Sequence, residues 1–224
     1  MGALPMLLLL TVPLTALAGV YLLDYRQFLI TAMLILIQGM IPFIVMFEGR
    51  KPAPRELVTI AVLCAMAVAG RAAFFMLPQV KPMAAMVIVS GIALGKETGF
   101  LIGAASALLS NMFFGQGPWT PWQMFALGLI GFAAGAVFSN RKVRRIPLAI
   151  FGGVATLVIF GGIMNPASVL MFQPQPTLEM LVTAYIVGIP FDAVHGLATA
   201  VFLFFIGIPL LEKLERIKIK YGGY

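Results

Sequence analysis

Asp192 and His195 stand three residues apart within an apolar stretch, a spacing that puts both side chains on one face of a helix. Such a pair could pass a proton, hold a metal or hydrogen-bond a ligand. Three further polar groups, Arg71, Asn111 and Gln123, are set in similarly apolar surroundings. A charge in such surroundings is costly, so each position marks a place where function or pairing must compensate. A metal needs more than this set offers, because the chain has one histidine, one cysteine and no second acidic residue near Asp192. The lone thiol, Cys64, reads as a small buried hydrophobe. The stretch Gly91-Ile92-Ala93-Leu94-Gly95-Lys96-Glu97 has its glycines too close together for a phosphate loop and no Ser or Thr after the lysine, so it reads as a turn. No nucleophile elbow or HExxH pattern occurs either, and the sequence predicts neither an enzyme nor a resident cofactor.

The elements that must position these residues follow from composition. Of 224 residues, 61% are hydrophobic and 10% charged, far from the balance of a soluble domain. Lipid is therefore the expected solvent for most of the chain, and with no alternating barrel pattern the fold class is all-α integral membrane. Apolar runs between charges and Pro/Gly breaks give eight candidate spans, at about 3–23, 26–47, 56–77, 82–95, 97–114, 121–139, 146–164 and 179–211. The net charge of +7 comes largely from short basic clusters between spans, around Arg50, Lys96, Arg141 to Arg145, and Lys213 to Lys220. Alternate connections are thus basic, which predicts topology rather than nucleic-acid binding and places both termini in the cytoplasm.

The first span has a signal-like Ala16-Leu17-Ala18 but no basic segment before it, and it reads as a retained helix. The organisation predicted is a pair of N-terminal helices (1–49), a cytoplasmic connector (50–55) and a six-helix core with a basic cytoplasmic tail (56–224). The fourth and fifth spans should form a tight cytoplasmic hairpin. The last, 33 residues long, must tilt, project, or bend near Gly188 and Pro190.

At 1.5 Å per residue from the cytoplasmic ends, Arg71 lies about 22 Å up its helix, Asn111 about 21 Å and His195 about 25 Å. Asp192 lies a turn higher and Gln123 near the outer mouth. Groups from four helices therefore meet in the outer third of the membrane, as a pocket open to the outside would require. The competing reading is an Arg71–Asp192 ion pair that only pins helices. The loop 115–123 carries Trp119 and Trp122 between prolines and glycines, placed either to anchor the helix at the headgroups or to cap a flat ligand by stacking. Ala61, Ala65 and Ala69 recur every four residues, a smooth stripe along which another helix can approach.

The alanine stripe, the segment Asn111-Met112-Phe113-Phe114-Gly115-Gln116-Gly117-Pro118-Trp119-Thr120-Pro121-Trp122-Gln123-Met124 and the segment Pro190-Phe191-Asp192-Ala193-Val194-His195-Gly196 together resemble the substrate-binding S components of energy-coupling factor (ECF) transporters. The resemblance covers the six-helix core, and the two added N-terminal helices depart from it. It implies a vitamin-binding subunit of the cell membrane that works with a transmembrane coupling subunit and two cytoplasmic ATPases. Arg71, Phe74, Phe75, Asn111, Trp119, Trp122, Gln123, Asp192 and His195 would hold the ligand, and Ala61, Ala65 and Ala69 would face the coupling subunit. The Trp-rich loop is most similar to the cobalamin type, which implies a corrinoid as cargo; an S component for another vitamin is the alternative within the family. Outside it stand a proton-coupled carrier titrating Asp192 and His195, and an intramembrane enzyme using them as acid and base.

Overall fold

The computed structural model of the protein describes residues 11, 14, 15, 18, 28–139 and 141–220. Apart from the first four of these positions, the predicted span 3–23 lies outside the described residues. Every regular element among the described residues is helical. They are α1 (Phe28–Gly49), α2 (Pro54–Ala73), α3 (Met83–Leu94), α4 (Lys96–Phe114), α5 (Thr120–Val137), α6 (Arg145–Phe172) and α7 (Leu178–Lys220). Five of them, α1, α2, α5, α6 and α7, are long and apolar enough to cross a bilayer. The protein is an all-α integral membrane protein.

At the centre is α3, only 12 residues long and almost wholly buried. It can be central because the helices beside it approach to backbone contact. A Cβ on Gly91 would collide with the carbonyl of Gly131, one on Gly131 with the carbonyl of Gly99, and one on Gly103 with the backbone of Leu127. Small residues at such crossings are how helices associate where lipid supplies no hydrophobic drive. The α3–α4 hairpin turns at Gly95, whose φ of 98° lies in the region open to glycine.

The end of this core that carries the α3–α4 turn is fastened to the connector between α1 and α2. Arg50 Nη2 meets the buried Glu56 carboxylate at 2.8 Å, and Arg50 Nη1 donates to Thr98 Oγ1 at 2.8 Å. Above this clamp α1 lies along α4 and α5, with Phe43 stacked on Phe100 at 4.0 Å and edge-on to Phe132 at 5.0 Å.

Two spans run past their predicted ends, and both contain a π-helical segment, Thr156–Gly161 in α6 and Leu203–Gly207 in α7. The sequence reading stops the seventh span at 164, ahead of Pro166. In the structure the helix continues to Phe172, because the carbonyl that Pro166 cannot pair, that of Gly162, accepts the Tyr185 hydroxyl of α7 at 2.8 Å. Helix α7 passes through Gly188 and Pro190 without ending and continues beyond 211 to Lys220. Leu211 and Leu214 are buried, and Lys218 Nζ donates to the Ala93 carbonyl at 3.4 Å, at the C-terminal end of α3.

Two outcomes follow. Gly131→Val should force α4 and α5 apart and cost several kcal/mol, about 3 or more because the obstacle is backbone; thermal unfolding in detergent would show loss of the monodisperse folded protein. Tyr185→Phe removes one interhelical hydrogen bond and should lower stability by about 1 kcal/mol, read as a small fall in the same thermal midpoint.

Candidate functional site

Between α2, α5, α6 and α7 lies a cavity of about 430 Å³, bordered by the α2–α3 connection. Four of the residues predicted for a site line it: Arg71, Gln123, Asp192 and His195. The structure brings these groups to one space from three helices, with α4 supplying support from behind.

Arg71 sits in the last turn of α2. Its Nη1 donates to Ser110 Oγ at 2.9 Å and to Asn111 Oδ1 at 2.8 Å, and its guanidinium stacks over the Phe114 ring at 5.0 Å. All of these partners are neutral. Among the described residues no ion pair joins Arg71 to Asp192 or to any other acid, so the helix-pinning alternative is not what the fold adopts. Asn111 is fully buried and carries the network onward, donating to Thr120 Oγ1 at 3.0 Å and to Gln123 Oε1 at 2.8 Å. It supports the cavity wall and does not line it.

On the far wall, Asn165 Nδ2 donates to Asp192 Oδ2 at 2.7 Å. Glycine makes the room: a Cβ at Gly161 would strike the Asp192 carboxylate, and one at Gly188 would strike the Asn165 amide. His195 is 7% exposed, packs edge-on against Phe160 at 4.9 Å, and has no hydrogen-bond partner among the described residues. A buried imidazole without a partner that borders an open cavity offers its polar atoms to whatever fills that cavity.

The connection between α2 and α3 folds upon itself. Lys81 Nζ donates to the carbonyls of Phe74, Phe75 and Leu77 at 2.7, 3.1 and 2.6 Å, and Gln79 adopts a positive φ of 59°. Burial, and then the charge of Arg71, lower the Lys81 pKa below that of a free lysine. Pro78, Gln79 and Lys81 line the cavity together with Phe160, Met164 and Asn165. Sequence reasoning did not single these out. Asn165 was detectable, as a polar side chain beside a proline inside an apolar span; Lys81 was not, because a lysine in a loop carries no such signal.

The aromatic residues lie elsewhere. Phe74 packs edge-on to Phe202 at 5.1 Å, while Phe75 is exposed and stacks on Phe114 at 5.1 Å. Trp119 folds over Gly117, and Trp122 is buried among Leu36, Met40, Phe100 and Ala167. None of the four lines the cavity. Helix α5 starts at Thr120, so Trp122 already follows the helical turn into the bundle. On α2, Ala61, Ala65 and Ala69 are exposed, opposite the buried Ile60, Leu63, Cys64 and Ala67.

Comparison with curated proteins and with solved structures gives no match. Residues 50–216, roughly three quarters of the chain, match the family model described as "ECF-type riboflavin transporter, S component". An all-helical membrane core with a polar cavity accords with that match, and the protein belongs to the family of S components, the substrate-binding membrane subunits of ECF-type transporters.

Proposed function

We propose that this S component captures a flavin-type vitamin from outside the cell in the cavity between α2, α5, α6 and α7. The observation that carries this reading is a set of unmet polar groups around one space: the outer edge of the Arg71 guanidinium, the free oxygen of Asp192 and the imidazole of His195. Buried polar atoms in hydrocarbon surroundings are costly unless paired, so a site left in this condition is completed by its ligand. At about 430 Å³ the space suits a tricyclic isoalloxazine with its sugar-alcohol chain, and it falls in the range usual for small-molecule sites. The riboflavin description of the matched family points the same way.

A corrinoid is the second reading, favoured by the likeness of the 115–123 loop to the cobalamin type. A corrin ring with its nucleotide tail is far larger than this cavity, and Trp119 and Trp122 turn away from it, so the flavin reading is the better supported. In either case the ligand is cargo, and no residue here is assigned covalent chemistry. Arg71, Gln123, Asp192 and His195 touch it, Asn111 holds Arg71 and Gln123 in place, and Pro78, Gln79 and Lys81 of the α2–α3 connection border it.

Uptake needs energy that this chain has no means to convert. The exposed stripe of Ala61, Ala65 and Ala69 is the surface proposed to dock the transmembrane coupling subunit, which links the protein to two cytoplasmic ATPases. With basic segments inside and the cavity outside, the ligand is taken up on one face and released on the other when the partner module hydrolyses ATP and the subunit tips in the bilayer.

Riboflavin fluorescence tests the binding step. Titration of the purified protein should quench the flavin at a stoichiometry near one per chain, and His195→Leu should weaken binding about tenfold, the worth of one hydrogen bond. Saturable binding of cyanocobalamin with none of riboflavin would replace the flavin reading by the corrinoid one. For the docking surface, Ala65→Arg should abolish co-purification with the coupling subunit and leave the riboflavin titration unchanged; retention of the partner would reject the stripe as its contact.

A further inference from the structure

The hydrogen bonds around the cavity fix which polar atoms of Arg71, Gln123, Asn165 and Asp192 donate and which accept. A guanidinium can only donate, so the Asn111 atom facing Arg71 Nη1 at 2.8 Å must be the amide oxygen. The amide nitrogen of Asn111 then points to Gln123, whose oxygen accepts it at 2.8 Å. Gln123 is left with its Nε2 group free, beside the Nη2 and Nε hydrogens of Arg71, none of which has an acceptor among the described residues. Arg71 and Gln123 therefore present only donors to the cavity. On the opposite wall Asp192 and Asn165 are set in the reverse sense, beside the His195 imidazole, which can both donate and accept. A carboxylate can only accept, so the Asn165 atom at 2.7 Å from Asp192 Oδ2 is the amide nitrogen, and the oxygens Asp192 Oδ1 and Asn165 Oδ1 are left as acceptors.

We infer that the two walls sort the ends of the ligand, with a carbonyl-rich edge lying against Arg71 and Gln123 and a hydroxyl-bearing chain donating to Asp192 and Asn165. The inference rests on the flavin reading of this site. A flavin has the required asymmetry: its pyrimidine edge carries two carbonyls and two unprotonated nitrogens against a single N–H, and a chain of hydroxyl groups leaves from the central ring. Hydroxyls both donate and accept and could meet either wall, but in the reverse placement the carbonyls, which only accept, would face a carboxylate that repels them. Because a site built to pair a hydrogen-bonding group discriminates against ligands that lack it, each wall should recognise its own part of the molecule.

Riboflavin and lumiflavin, which shares the rings but has a methyl group in place of the hydroxylated chain, separate the two contributions. Both are titrated by fluorescence quenching against the full-length protein, Asp192→Ala and Arg71→Gln. Asp192→Ala should weaken riboflavin about tenfold and change lumiflavin by less than about twofold, so that retained lumiflavin binding also reports a folded protein. Arg71→Gln should weaken both ligands by a similar factor of about tenfold. Should Asp192→Ala prove unstable, Asp192→Asn keeps the shape and removes the charge, and it should again lower riboflavin affinity selectively, by a smaller factor. Equal losses of both ligands on changing Asp192, or a loss confined to riboflavin on changing Arg71, would overturn the assignment of the walls while leaving the flavin reading in place. Failure of the unmodified protein to bind either flavin would instead overturn the flavin reading, and the inference with it.

Discussion

A guanidinium held at membrane depth by neutral oxygens alone is the constraint from which the rest of this site follows. In a medium of low dielectric constant the cheapest answer to Arg71 would be a carboxylate, and Asp192 borders the same cavity. The fold keeps them apart. Arg71 is instead pinned by Ser110, Asn111 and the face of Phe114, and Asp192 by Asn165. An ion pair would satisfy both groups and close the space between them; holding each on its own wall keeps the space open and its polar edges unmet.

That separation depends on the backbone seams elsewhere in the bundle. Glycine contacts at Gly91, Gly99, Gly103 and Gly131 draw α3, α4 and α5 into one rigid unit, which sets the Arg71 side of the cavity. On the other side, α6 and α7 are irregular: each carries a π segment, and prolines at 166 and 190 interrupt their hydrogen-bond ladders. Tyr185 repairs one such interruption, and Gly161 and Gly188 leave the space into which Asp192 and Asn165 reach. A regular half thus faces an irregular half, and the cavity occupies the mismatch between them. Irregular backbone at membrane depth is tolerated where it lines a cavity of this kind.

Much of this was legible in the sequence, for reasons that lie in lipid as a solvent. Hydrocarbon permits so few polar exceptions that Arg71, Gln123, Asp192 and His195 stood out, and counting residues along helices put them at a common depth. The alanine stripe was equally plain, and its exposure on α2 agrees with the spacing. What the sequence hid were features set by neighbouring helices. Pro166 reads as a helix end until Tyr185 supplies the donor it lacks, and Trp122 reads as a loop residue until α5 is seen to begin two positions earlier. Lys81 lies in a connection whose fold is decided by its own ammonium, which no periodicity records.

The extra helix α1 lies against α4 and α5 and leaves the alanine stripe exposed, and its C-terminal end is fixed through Arg50 to Glu56 and Thr98. It therefore adds to the core without covering either the cavity or the proposed docking face. The central claim, that the polar cavity between α2, α5, α6 and α7 is a receptor for a flavin, is tested most directly by what the protein retains when purified from membranes of cells supplied with vitamins. Absorbance and mass spectrometry of the released small molecules should show a flavin at close to one per chain, lost when Arg71 and Asp192 are both replaced. A corrinoid in its place, or a flavin retained equally by the doubly substituted protein, would contradict it.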